Sequence, residues 1–142
     1  MVVNYDWGTP MYDQSIYLRD KVLRKPLDMV FYPKDLVKET NCFHLAYVDV
    51  CEEMIACLYL KKVNKKTLQL KQMAVKPEFQ KKGYGSILVK EAENLAILKN
   101  FYTIILHARE EAVGFYQSLG YEIEGDIFYE IGIAHYKMTK NL

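Results

Sequence analysis

The stretch Gln80-Lys81-Lys82-Gly83-Tyr84-Gly85 carries the strongest chemical signal in the chain. It lies between a strand-like run that ends in Met73-Ala74-Val75, closed by Lys76-Pro77, and an amphipathic run that begins at Tyr84. Glycines placed between a strand and a helix let phosphate oxygens come close to the backbone. The amides of the loop and the positive end of the helix then face one anion. Lys81 and Lys82 add charge beside them. Two nucleotide patterns share this outline and neither fits. A P-loop continues with Gly-Lys-Ser/Thr, and this chain continues with Ser86-Ile87. A dinucleotide fingerprint needs a third small residue where Leu88 stands, and it starts directly off its strand.

Several elements must position that loop. Val2–Tyr5 reads as a short strand. Thr9-Pro10 reads as a helix start, with Thr9 supplying the cap oxygen and Pro10 fitting the first turn. This helix is expected to run from about Met11 to Lys25 and to stop at Pro26. Its basic residues Arg19, Lys21, Arg24 and Lys25 fall in the later turns, where the dipole tolerates cations. Leu27 to Lys38 reads as a loop or lid with one helical turn opened by Pro33. Its Phe31-Tyr32 pair either packs the connection onto the core or lines a cleft.

Three strands follow, Phe43–Val48, Met54–Lys61 and Thr67–Val75. The nearly continuous apolar run Met54–Leu60 implies a sheet covered on both faces. In the third strand Leu68 and Leu70 have one parity while Met73 and Val75 have the other. One extra residue between them, a β-bulge, returns all four to one face and frees backbone groups for a ligand. Tyr84 to Lys99 is helical, with Tyr84, Leu88, Ala92 and Leu95 as the apolar stripe. Ile87 and Leu98 widen it, and Lys90 and Glu93 face solvent. Tyr102–His107 is a strand and Ala112–Leu119 a helix ended by Gly120. Tyr121–Gly125, Phe128–Ile131 and Ile133–Met138 supply the last strands, including a hairpin. The helical crossover from Val75 to Tyr102 requires those two strands to be parallel, and the others read as antiparallel. The expected fold is therefore α/β: a mixed, mostly antiparallel sheet flanked by helices.

A length of 142 residues, 51% of them apolar and 13% aromatic, suits one folded domain over 1–142. A net charge of +1 supplies no large basic field and argues against nucleic acid as a partner. No run is long and apolar enough to span a membrane and none resembles a signal peptide, so the expectation is a cytoplasmic protein with no membrane partner. Cys42, Cys51 and Cys57 are an odd number without a CxxC, which argues against a disulfide framework. His44, His107 and His135 lie far apart, which argues against a metal site.

Gln80 to Gly85 resembles the Gln/Arg-x-x-Gly-x-Gly/Ala signature of the GCN5-related N-acetyltransferases, the GNAT family. Ala108-Arg109-Glu110-Glu111-Ala112-Val113-Gly114-Phe115-Tyr116-Gln117-Ser118-Leu119-Gly120-Tyr121 resembles that family's Ala-x-x-Phe-Tyr-x-x-x-Gly-Phe/Tyr helix, in family order and spacing. The opening from Tyr17-Leu18-Arg19 to Pro26 and the ending Gly132-Ile133-Ala134-His135-Tyr136 resemble the small bacterial ElaA-like branch.

The resemblance implies a splayed parallel pair of strands holding acetyl-coenzyme A as co-substrate. Its pantetheine arm would lie against Met73, Ala74 and Val75. Its pyrophosphate would meet Gln80, Lys81, Lys82, Gly83, Tyr84, Gly85 and Ser86. It also implies direct attack by a primary amine on the thioester through a tetrahedral intermediate, with Tyr116 as general acid and as a cofactor contact. Many relatives have Asn seven residues before that Tyr. This chain has Arg109, which is expected to reach a phosphate or the substrate, or to pair with a carboxylate.

For the general base His135 stands first and His107 second, with Glu130 and Glu124 behind them; either histidine is equally at home as a structural residue. The expected acceptor is a small-molecule or peptide amine, in a cleft drawn from Tyr17, Arg19, Phe31, Tyr32 or Tyr129, with Glu130 or Asp126 attracting a cation. A monomer or homodimer is expected. The competing reading is a non-enzymatic acyl-coenzyme A sensor or interaction domain on the same fold.

Overall fold

The computed structural model describes residues 1–142. The strands are β1 (Val2–Tyr5), β2 (Phe43–Val48), β3 (Met54–Lys62), β4 (Thr67–Val75), β5 (Thr103–Arg109), β6 (Glu122–Ile123), β7 (Phe128–Glu130) and β8 (Ile133–Asn141). The helices are α1 (Pro10–Arg19), the single turn α2 (Pro33–Leu36), α3 (Tyr84–Leu98) and α4 (Val113–Ser118). The sheet runs β1-β2-β3-β4-β5-β8-β6, with β7 also paired to β8. Only β4 and β5 are parallel, as the crossover through α3 demands.

Every residue from Met54 to Leu60 is buried, which follows from helices on both faces of the sheet. On one face Leu68, Leu70, Ile104, Leu106 and Met138 pack with Leu88, Ala92 and Ala96 of α3 and with Tyr116 of α4. On the other, Leu18 of α1 packs with Ala46, Val48, Cys57 and Ala74.

The bulge is present in β4. Cys57 pairs with Ala74 but Tyr59 pairs with Lys71, so β4 carries an extra residue opposite Leu58. Gln72 takes it up in the left-handed region at φ 50°. Such a conformation costs a non-glycine residue about 1–2 kcal/mol. It lets Met73 and Val75 join Leu68 and Leu70 in the α3 core while Ala74 enters the opposite one. Each fully buried aliphatic side chain contributes about 1.5–3 kcal/mol, so burying even part of Met73 and Val75 offsets the strain.

Three expectations need correction. The first helix stays α-helical only to Arg19. Asp20–Arg24 widens to a π turn and Lys25–Leu27 tightens to a 3-10 turn, because Pro26 has no N–H with which to continue the ladder. In α3, Ile87 and Leu98 are exposed and do not widen the apolar stripe. Glu93 is buried on that helix instead of facing solvent. It accepts hydrogen bonds from the Tyr121 hydroxyl and the Lys140 ammonium, both 3.0 Å away, and these partners make its burial tolerable.

Candidate active site

Pairing between β4 and β5 stops at Leu70 and Leu106, although β4 continues to Val75 and β5 to Arg109. The bulge turns β4 away, and the two strand ends splay apart. A cavity of about 720 Å³ opens between them. Lys76 N–H donates to the Ile55 carbonyl on the β3 side. By strand alternation the polar groups of Val75 therefore face the cleft. The Val75 carbonyl is taken by the Gln80 amide at 3.0 Å, which ties the loop to the end of β4.

The loop closes one end of this cavity. Lys81 at φ 61° and Gly83 at φ 93° both occupy the left-handed region, a conformation in which successive amides turn toward one side. The N–H groups from Lys81 through Ser86 donate no hydrogen bond within the protein, and α3 begins immediately behind them. Gly83 is required by its backbone angle. Gly85 is favoured by space, since a Cβ there would sit 3.3 Å from the Phe115 ring and the ring would have to give way slightly. The loop has the cradle geometry that a pyrophosphate needs.

Tyr116 reaches the cavity from α4 and is 7% exposed, packed edge-on against Phe115 and Tyr121. Its hydroxyl has no partner, and burial alone pushes its pKa well above the ordinary tyrosine value. His135 and His107 lie opposite. His135 is buried, and its Nδ1 donates to the Ile133 carbonyl at 2.7 Å, which leaves Nε2 as the basic nitrogen of the neutral ring. His107 is more exposed and its Nδ1 pairs with Glu130 at 3.2 Å. Arg109 and His135 occupy paired positions on β5 and β8 and both line the cavity.

The structure brings together Met73, Val75, Gln80, Lys81, Gly83, Gly85, Ser86, His107, Arg109, Tyr116 and His135 around one cavity. The side chains of three other expected residues are directed elsewhere. The Ala74 side chain is buried in the α1-side core, Lys82 lies over the Phe79 ring, and Tyr84 packs against Tyr47 and Phe79. The expected acceptor cleft is also redrawn. Tyr17 and Tyr129 point to solvent, and Glu124 pairs with Lys137 outside the cavity. Phe31 and Tyr32 instead line a neighbouring cavity of about 300 Å³.

Arg19 departs furthest from expectation. It is 1% exposed and forms a two-pronged pair with Glu39 at 2.6 and 2.8 Å. Its Nε donates to the Gln72 side chain at 2.8 Å, so a buried ion pair pins the bulge residue. Burial pulls the Arg19 pKa down, but the bonds and charge of Glu39 outweigh it and the guanidinium stays charged. Tyr12 donates a further bond to Glu39 at 2.8 Å. Nothing local to Tyr12 or Arg19 in the sequence marked Glu39 as their partner.

The model of the acetyltransferase (GNAT) family matches residues 6–121. The chain belongs to this family. The Bacillus subtilis protein YyaT is 37% identical over 76 residues, covering 54% of this chain and 51% of YyaT, so the chain spans about half the length of that relative. A Lactobacillus plantarum structure superposes over 100% of this chain and 97% of its own, with a TM-score of 0.89 and 19% identity. A GNAT protein of Elizabethkingia anophelis, solved with acetyl-CoA bound, covers 100% and 97% at a TM-score of 0.74 and 22% identity. Escherichia coli ElaA covers 99% of each chain at a TM-score of 0.83 and 15% identity. These structures establish the GNAT fold, and ElaA does not stand apart from the others as the branch to which this chain belongs. No helix is long and apolar enough to cross a membrane, and no three His, Cys, Asp or Glu side chains cluster to hold a metal ion.

Proposed function

We propose that the chain transfers an acetyl group from acetyl-coenzyme A to a primary amine. The observation that carries this reading is the run of unbonded amides from Lys81 to Ser86 at the end of the split between β4 and β5. The pyrophosphate would take those amides and the Lys81 charge. The pantetheine arm would lie along the freed edge of β4 at Met73 and Val75. The bound thioester supplies an activated acetyl carbonyl next to that edge. The Val75 N–H then stands as a donor to the carbonyl oxygen.

The amine nitrogen adds to the acetyl carbonyl carbon to give a tetrahedral intermediate, and its collapse breaks the carbon–sulfur bond. The ammonium proton leaves through His135 Nε2 or, less directly, through the His107–Glu130 pair. Tyr116 donates its hydroxyl proton, or a hydrogen bond, to the departing thiolate. Its raised pKa does not disqualify it, because the same dry wall raises the pKa of the sulfur. Most of the acceleration comes from holding the two reactants together, which is what a preformed cleft does.

The test is release of free thiol from acetyl-coenzyme A across an amine panel, for wild type and Tyr116→Phe. The substitution is expected to lower kcat about 10²-fold or more with KM for acetyl-coenzyme A little changed. An equal kcat across the pH range removes Tyr116 from the mechanism. Saturable binding without thiol release from any amine identifies an acyl-coenzyme A sensor instead.

A further inference from the structure

Arg24, Lys71 and Gln72 line both the main cavity and the smaller one, so the two cavities adjoin across them. On β4, Leu70 and Met73 face the α3 core while Lys71 faces the other way; on β5, Ala108 faces that core while Arg109 faces the other way. Lys71 and Arg109 are thus on the sheet face opposite α3 and α4. Arg24 is brought to the same place by the π turn that ends the first helix.

None of these three side chains has a carboxylate within ion-pair distance. Of the nearby carboxylates Glu39 is held by Arg19, while Asp35 contacts Lys38 and Glu130 contacts His107 at the surface. Glu111, the remaining acid of the main cavity, is carried by the turn before α4. Arg24 stands 4.9 Å from the centre of the Phe31 ring that Arg19 also approaches, at 5.0 Å. Two guanidinium groups therefore share one ring while only one of them has a counter-ion. Burial, followed by the charges of Arg19 and Arg109, lowers the Arg24 pKa, as crowding by like charge should. Unpaired cations gathered in a cleft repel one another, and an anion arriving there relieves the repulsion.

We propose that Arg24, Lys71 and Arg109 form an oxyanion subsite for the acceptor, so that the amine this chain takes carries a carboxylate or a phosphate. The inference rests on the acetyl-transfer reading only for calling the ligand an acceptor. Guanidinium forks match either oxyanion in two-pronged geometry. The smaller cavity, with Phe31, Tyr32 and Tyr59 in a wall that is otherwise half polar, offers aromatic surface for the body of such a molecule. This runs against the expectation that Glu130 or Asp126 attracts a cation, because Glu130 contacts His107 and Asp126 is exposed away from the cavity lining.

The test is isothermal titration of the full chain, with and without coenzyme A, using matched probes. One set is phenylalanine, phenylalaninamide and 2-phenylethylamine. The other is O-phosphoethanolamine and ethanolamine. The oxyanion member of at least one set is expected to bind about tenfold or more tightly than its counterpart without the oxyanion. The set that shows this distinguishes carboxylate from phosphate. Arg24→Gln and Lys71→Gln, each checked for an unchanged circular dichroism spectrum, are expected to abolish the preference while coenzyme A affinity stays within about twofold. Equal binding of members with and without the oxyanion, retention of the preference in both variants, or no binding by any probe overturns the proposal. Failure of acetyl transfer is a separate result: no thiol is released from any amine, yet the oxyanion preference persists in titrations without coenzyme A.

Discussion

Replacing Glu39 with Gln removes one charge from the centre of the α1 side of the molecule and keeps the shape. Arg19 is 1% and Glu39 5% exposed, so solvent cannot replace the lost carboxylate. Three short bonds converge on that carboxylate, two from Arg19 and one from Tyr12. Breaking a buried pair from one side costs about 3–5 kcal/mol, because the surviving charge is left uncompensated. An amide oxygen still accepts one bond, which puts Glu39→Gln near the lower end, at about 3 kcal/mol. For a chain of this size each kcal/mol moves Tm by about 3–4 °C, so a fall of about 10 °C is expected. Thermal melts followed by circular dichroism measure it, with urea titration as a check on cooperativity. The double variant Arg19→Met/Glu39→Leu removes both charges and is expected to lose less than the single variant. Releasing Gln72 from Arg19 loosens the bulge, so Glu39→Gln should also bind acetyl-coenzyme A more weakly at temperatures where it is folded. A single variant within about 1 kcal/mol of wild type, or a double variant worse than the single, refutes the reasoning.

Gly85→Leu drives a side chain into the Phe115 ring, and acetyl-coenzyme A affinity is expected to fall about tenfold or more while the far-UV spectrum is retained. Binding titrations check it. His44 donates from Nε2 to the Glu39 carbonyl, its Nδ1 has no partner, and burial lowers its pKa below the ordinary histidine value. A lowered histidine pKa leaves the unfolded chain binding more protons, so stability is full above about pH 6.5 and is lost as pH falls through the window below it. Urea midpoints from pH 7.5 down to pH 5 are expected to decline, and His44→Phe to flatten that decline. Burial pushes the Cys57 thiol up to about 12 whereas Cys51 is exposed, so a thiol reagent at neutral pH should label Cys51 first and Cys57 only after unfolding.

The fold was legible where local chemistry decides it. Thr9-Pro10 marked a cap, the parity switch between Leu70 and Met73 marked a bulge, and the crossover forced a parallel pair; all three are present. The candidate site was legible where it depends on the loop, because two glycines and a strand end act through nearby backbone. Long-range pairing of polar groups was not legible. Glu93 read as a solvent-facing helix residue because its partners Tyr121 and Lys140 lie on other elements. Arg19 read as a helix cation and a candidate cleft residue, since its partner Glu39 belongs to a turn that no periodicity describes. Arg24 escaped notice as a cavity residue for a different reason. Its place depends on a π turn, and only the approaching Pro26 hinted that the helix would not end regularly.

The central claim is that the backbone from Lys81 to Ser86, with the open edge of β4, receives acetyl-coenzyme A. Amide hydrogen exchange resolved by residue, with and without saturating acetyl-coenzyme A, tests it most directly. The amides of Lys81 through Ser86 and of Val75 are expected to exchange freely in the unliganded chain and to slow at least about tenfold on binding. Unchanged exchange at those amides, with protection appearing elsewhere or nowhere, contradicts the account.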